Sequence, residues 1–383
     1  MQKIHELIKK LCPNGVEYKN IQELCKISRG KVMSKDFIKS NAGEYPVYSS
    51  QTENNGELGK ISTYDFDGEY LTWTTDGANA GSVFYRKGKF SVTNVCGLLE
   101  IKNKVMIPKF LYYVLSIEAP KYVNAGMGNP KLMSNVMAKI RVAVPPLEVQ
   151  CEIVHILDDF TELSAELSAE LKARKRQYEY YKNKIFNNKN VKYMRLEEIG
   201  QVKMCKRILK KQTNSISGIP FYKIGTFGKE PDAYISEETY KDYLKKYNHP
   251  KKGDILISCA GTIGRTVVYD GKPAYFQDSN IVWLEHDESI VLNKYLLYSY
   301  SLNPWNISNG GTIARLYNDN ILKAVIPVPT IEDQIKIIKV LDNFDKICNS
   351  LMDGLPAEIE ARQKQYEYYR DKLLTFKELK VNE

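Results

Sequence analysis

The nine residues ARKRQYEYY (173–181) return as ARQKQYEYY (361–369), an offset of 361 − 173 = 188 in a chain of 383. Seven identities in nine at one separation mark an internal duplication. Working outward, PPLEVQ (145–150), then Ile156, Leu157, Asp158 and Phe160, is echoed by PTIEDQ (329–334), then Val340, Leu341, Asp342 and Phe344. Here the offset is 329 − 145 = 184, so the second copy has gained four residues between Phe344 and Ala361. That is about one helical turn. Fainter echoes precede both blocks: GEYLTW (68–73) answers GDILIS (253–258), Gly77 and Gly81 answer Gly261 and Gly264, and VEYKNIQEL (16–24) answers VKYMRLEEI (191–199). The chain reads as globular unit, long helix, globular unit, long helix.

Apolar residues in the first helix recur at Ile153, Ile156, Phe160, Leu163, Leu167, Leu171, Tyr178, Tyr181 and Ile185. In the second they fall at Leu341, Phe344, Ile347, Leu351, Leu355, Ile359, Tyr366, Tyr369, Leu373 and Phe376. Steps of three and four make a heptad seam. The pattern predicts helices over 147–186 and 331–376, about 60 and about 69 Å if continuous. Such a pair most simply packs antiparallel and holds the two units apart, although the same seams also suit dimerisation through a second copy. SAEL stands twice in tandem (164–167 and 168–171), and each unit lengthens a helix by about 6 Å. The second helix instead carries Gly354, Leu355 and Pro356, which predict a break with Pro356 in the first turn of the restarted helix.

With 43% hydrophobic and 26% charged residues, the composition is that of a globular protein with sizeable cores. No apolar run approaches a membrane span, and the start MQKIHELIKKL is amphipathic, so a cytoplasmic location is expected. Seven scattered cysteines without a CxxC pair, and four histidines without ligand spacing, argue against a disulfide framework and a metal site. The net charge of +9 suits an anionic partner, and the 27 tyrosines can serve both core and phosphate contact.

The globular units, about 16–144 and 191–328, hold short β-type runs (YLTWTT, SVFY and GLLEI; DILIS, TVVYD and NIVWLEH) and helical stretches at 108–116 and 293–302. Both read as α+β domains with many polar loops. Amides, hydroxyls and cations are the groups that read base edges and grip phosphates. In the first unit the candidates for DNA contact are Ser50, Gln51, Thr52, Asn54 and Asn55, then Thr74, Thr75 and Asn79, then Asn129 and Lys131. In the second they are Lys223, Thr226 and Lys229, then Thr262 and Arg265, then Gln277 and Asn280, then Thr312, Arg315 and Tyr317. The basic cluster Lys172, Arg174, Lys175, Arg176, Lys182 and Lys184 on the first helix reads as a solvated or docking face.

Sequence signatures of catalysis are missing. There is no Walker A loop, Asn303-Pro304-Trp305 lacks the second proline of an NPPY-like methyltransferase site, and Glu100-Ile101-Lys102 lacks the paired acid of a nuclease. The chain reads as a binder and not as an enzyme.

The opening LCPNGVEY (11–18), the PPLEVQ and PTIEDQ blocks, the SAEL tandem and the helix ends RKRQYEYYKNKIF and RQKQYEYYRDKLLTF resemble, over essentially the whole chain, the specificity subunit of type I restriction-modification systems. The resemblance implies two target recognition domains (1–146 and 188–329) and two spacer helices (147–187 and 330–383). Each domain would bind one half of a split, asymmetric sequence in double-stranded DNA, with the helices setting the gap. It implies no catalysis by this chain and no cofactor bound to it. Two methyltransferase subunits using S-adenosylmethionine and two restriction subunits using ATP and Mg2+ are the implied partners. The specificity subunit of a modification-only complex fits the same residues.

Overall fold

A computed structural model describes residues 2–306 and 314–379, the side chain of Met127 excepted. The candidate Thr312 lies outside the described residues. The chain divides into two compact units, Met1–Ser168 with Glu358–Glu383, and Ala169–Ala357. Unit 1 is therefore assembled from two distant stretches of sequence, and unit 2 from one continuous stretch.

Unit 1 is built on a six-stranded sheet in the order Cys25–Arg29, Cys96–Ile101, Phe66–Thr74, Val83–Val92, Ala42–Tyr48, Glu57–Ile61. Its spine is the hairpin Phe66–Thr74 with Val83–Val92, in which Gly68 faces Gly88 and Trp73 faces Val83. All neighbours are antiparallel except Ala42–Tyr48, which runs parallel to Val83–Val92. Trp73 is fully buried, and its Nε1 donates to the Leu132 carbonyl at 3.0 Å, so the large ring is hidden without an orphaned donor.

Unit 2 repeats the heart of that sheet as Gly200–Lys203, Ile281–His286, Ile255–Ser258, Thr266–Val268. A second four-stranded sheet, Thr213–Asn214, Tyr234–Ile235, Ile219–Tyr222, Tyr275–Phe276, repeats the parallel pairing at the Ala42–Tyr48 edge of unit 1, with Tyr222 opposite Phe276 as Tyr48 is opposite Val92. The helix Glu237–Lys246 follows its strand Tyr234–Ile235, and the helix cap Ser236 Oγ accepts from Thr239 N at 3.1 Å. The runs read from sequence as strands are strands in both units. The helical stretches are Pro108–Glu118 and Asn293–Tyr300.

Three long helices are labelled α1 (Leu147–Phe186), α2 (Ile331–Asn349) and α3 (Leu355–Leu374). The first spacer helix is continuous; the second is broken where Gly354 and Pro356 predicted. A Cβ on Gly354 would stand 2.4 Å from the Lys346 carbonyl oxygen, so only glycine permits this close approach. In unit 1 the Phe160 ring of α1 lies 5.8 Å from Tyr369 and 6.3 Å from Tyr366 of α3. In unit 2 Tyr178 and Tyr181 lie 5.9 and 6.0 Å from Phe344 of α2. Within unit 1 early α1 thus meets α3, and within unit 2 late α1 meets α2.

Leu163, Leu167, Leu171, Leu355 and Ile359 are half-buried. Two seam expectations need correction: Ile347 is 40% exposed and Leu351 76% exposed. The chain leaves the helical path at Ser350, which takes Leu351 off the heptad spacing, while Ile347 stands in the last turn of α2. Lys182, read as part of a solvated cationic face, is buried with its Nζ 5.1 Å from the Tyr178 ring centre and 2.9 Å from Glu179.

The same polar clamps fasten each domain to its helix. Gln150, fully buried, accepts from Ile107 N at 2.8 Å and donates to the carbonyls of Val105 and Pro145. Asp158 takes Lys109 Nζ at 2.6 Å and the Tyr113 hydroxyl at 2.5 Å. In unit 2 Asp342 takes Lys294 at 2.7 Å and the Tyr298 hydroxyl at 2.5 Å. These contacts give a physical reason for the sequence echo of PPLEVQ and LDDF.

Candidate nucleic-acid interface

In unit 1 three separate loops converge. Asn79 Nδ2 donates to Thr52 Oγ1 at 3.0 Å, joining the second loop to the first. Lys131 Nζ lies 3.7 Å from Asp76, and the Lys131 backbone bridges both Asp76 and Asn124, joining the third loop to the second. Asn54 and Asn55 form the tip of the first loop with φ of 48° and 55°, a left-handed turn that Asn tolerates, and both side chains are exposed. Gln51 donates to the Glu57 carbonyl across the loop base, and Ser50 is half-buried beside it. Asn129 is exposed.

Under this loop lies a residue that sequence reasoning missed, Arg86. It is 2% exposed, its guanidinium stacks 3.5 Å over the Tyr48 ring, and its Nε donates to Thr72 Oγ1 at 3.1 Å. A Cβ on Gly56 (φ +79°) would come within 2.9 Å of its Nη2, so the loop is laid directly on the buried cation. No local pattern distinguishes this arginine from a surface one.

Thr74 and Thr75 are corrected. Both are fully buried, and their hydroxyls are engaged inside the fold. Thr74 donates to the Asn79 carbonyl and accepts from Ser82 N at 3.1 Å; the Thr75 hydroxyl, with one proton to donate, lies 2.6 Å from Asp76 Oδ2 and 2.9 Å from the Val95 carbonyl. They shape the turn that carries Asn79 and do not face solvent.

In unit 2 the turn after strand Tyr275–Phe276 organises the site. Ser279 adopts φ +52° and lines two adjoining clefts. One cleft is lined by Arg207, Lys210, Asn214, Lys223, Gln277 and Asn280, the other by Arg315, Tyr317, Asn320 and Lys323. Arg207 Nε donates to Asp278 at 2.8 Å, and Arg315 Nη2 donates to the Ser279 carbonyl at 2.7 Å. Lys223 pairs with Asp232 at 2.8 Å. The partly exposed ion pairs of Arg207 and Lys223 contribute little stability, so these two cations can be exchanged onto a phosphate at small cost.

Gln277 and Thr226 spend acceptors on the backbone, from Ile224 N at 3.0 Å and Lys223 N at 3.1 Å, which orders the loop that presents Lys223. Lys229 and Thr262 are exposed, Tyr317 is 55% exposed, and Arg265 reaches the Gly228 carbonyl at 3.4 Å. Arg207, Lys210 and Asn214 were not singled out from sequence because contacts distant in the chain bring them here, as Arg207 with Asp278 shows.

Two fragments weighed for catalysis have structural duties. Glu100 pairs with Lys26 at 3.5 Å and Lys102 donates to the Gln22 carbonyl at 2.7 Å. Asn303 turns the chain with φ +50°, and Trp305 is buried 5.1 Å from the Tyr300 ring.

The model of the type I restriction modification DNA specificity domain matches the chain twice, at residues 13–174 and 188–361. A Haemophilus influenzae chain named as a type I restriction enzyme specificity subunit is 44% identical over 94% of this chain and 96% of its own. A Mycoplasma pneumoniae chain named as a type I specificity subunit is 35% identical over 92% and 96%. The crystal structure of a type I S subunit from M. genitalium shares the fold with a TM-score of 0.58 at 14% identity, covering 94% of this chain and 96% of that one. Two matched specificity domains, each carrying its own cluster of polar and cationic loops, place this chain in the family of type I restriction-modification specificity subunits.

Proposed function

We propose that each recognition domain reads one half of a bipartite, asymmetric DNA sequence in the cytoplasm, and that α1 with α2 and α3 sets the unspecified gap. The observation that carries this reading is the pairing of identical fastenings with different loops. Gln150 and Gln334, Asp158 and Asp342 hold the two domains in the same way. The reading loops, by contrast, have diverged. A duplicated scaffold with differing loops suits one duplex read twice with different letters.

In this reading the chemistry belongs to partners. Two methyltransferase subunits carry S-adenosylmethionine, two restriction subunits carry ATP and Mg2+, and this chain supplies position. Co-expression with the modification subunit, followed by mapping of methylated adenines across the host genome, tests it. A single bipartite motif is expected; methylation without a motif, or within one uninterrupted motif, would overturn the reading.

A further inference from the structure

Lys131 and Arg315 occupy corresponding places in the two domains. The offset, 315 − 131 = 184, is that of the Gln150 and Gln334 fastenings. Each cation immediately precedes a buried leucine whose amide is pinned to the end of a sheet strand: Leu132 N donates to the Thr75 carbonyl at 2.9 Å, and Leu316 N to the Cys259 carbonyl at 2.9 Å. The strand ends themselves match. Gly81 N donates to the Thr74 carbonyl at 2.9 Å, and Gly264 N to the Ser258 carbonyl at 2.9 Å. Both cations are thus rooted in the rigid sheet and not at a loop tip.

What the duplication has kept at this place is the charge, and what it has not kept is the head group. A lysine is a point charge and an arginine a planar fork, and the two are not interchangeable for bidentate reading of a base. A phosphate accepts either. The flanking loops, SSQTENN in one domain and KIGTFGK in the other, share neither charge nor pattern. A group that reads letters would diverge with those loops, whereas a group that holds the backbone common to every half-site would remain cationic.

We propose that Lys131 and Arg315 are equivalent phosphate grips, one in each domain, that fix the domain's register on DNA without selecting bases. The inference rests on the reading of paired half-sites above. Its test uses the full chain co-expressed with its modification subunit and a duplex oligonucleotide carrying the mapped motif, with affinity measured at several salt concentrations. Lys131→Ala and Arg315→Ala should each weaken binding roughly tenfold and lower the slope of log affinity against log salt by about one. The methylated motif should keep its letters, and Lys131→Arg and Arg315→Lys should bind as the parent does.

If either alanine variant fails to melt cooperatively, the same slope is read from Lys131→Gln and Arg315→Gln. An unchanged slope, altered letters in one half of the motif, or loss of binding in the charge-keeping variants would overturn the assignment. A parent complex that yields no bipartite motif would overturn the underlying reading instead.

Discussion

Gln334 does in unit 2 what Gln150 does in unit 1: its Oε1 accepts from Leu292 N at 2.9 Å, and its Nε2 donates to the carbonyls of Ile290 and Pro329, both at 2.9 Å. Each glutamine satisfies three backbone groups where a domain joins its helix. A leucine of similar volume would leave those groups buried without partners, at roughly 1–3 kcal/mol each before relaxation. Gln150→Leu and Gln334→Leu should therefore each destabilise the protein by about 3 kcal/mol. Thermal melting checks this, and a change below about 0.5 kcal/mol would show that the backbone groups find water instead.

The joint before α3 depends on a missing Cβ. Gly354→Ala places a methyl where the Lys346 and Ser350 carbonyl oxygens stand 2.4 and 2.8 Å away. The expected loss is about 2 kcal/mol, the usual range for overpacking. Chemical denaturation with Gly354→Ala should show it, and a neutral result would mean that the joint opens freely.

Removal of one SAEL unit shortens α1 by about 6 Å. Ser164 and Ser168 turn their hydroxyls back onto the carbonyls of Phe160 and Ser164 at 2.9 and 2.8 Å, so the tandem satisfies its polar groups within the helix. The deletion should change the gap of the methylated motif and leave its letters alone. Altered letters with the gap intact would contradict the ruler.

Arg265→Ala should weaken one half-site only, by about 1–3 kcal/mol if the guanidinium meets a base edge. Competition binding with each half of the motif mutated in turn resolves this. Equal weakening of both halves would assign the arginine a structural role.

Burial pushes the thiols of Cys25, Cys96 and Cys205 up to about 12, and the Tyr178 hydroxyl up to about 12. Unfolded thiols and phenols ionise near about 8.5 and about 10. Stability from keeping these groups neutral is complete below about pH 8.5 and is lost as pH rises toward 12. Melting temperature should fall across that window and not below it. At pH 8 a thiol reagent should modify the exposed Cys151 quickly and the six buried cysteines only after denaturation.

The long helices, the strands and the break at Gly354 were legible because they rest on local periodicity and on residues with special backbone requirements. The recognition surface was legible only as loops. Thr74 and Thr75 look like ideal DNA contacts in sequence, yet a strand end buries them and uses their hydroxyls to set a turn. Leu351 keeps the heptad spacing on paper, but the turn after Asn349 takes it off the seam. Arg207 and Arg86 gain their positions from pairings distant in sequence, Arg207 with Asp278 and Arg86 with Tyr48, which no short motif records.

The division between the two compact units falls between Ser168 and Ala169, inside the SAEL tandem, and again between Ala357 and Glu358, just past the Gly354 joint. Mutations that lengthen or shorten the chain at these two seams touch neither hydrophobic core. On the proposed reading, selection could therefore act on the spacing of the DNA site separately from the two cores, so that a lineage would acquire a new target without repacking either of them.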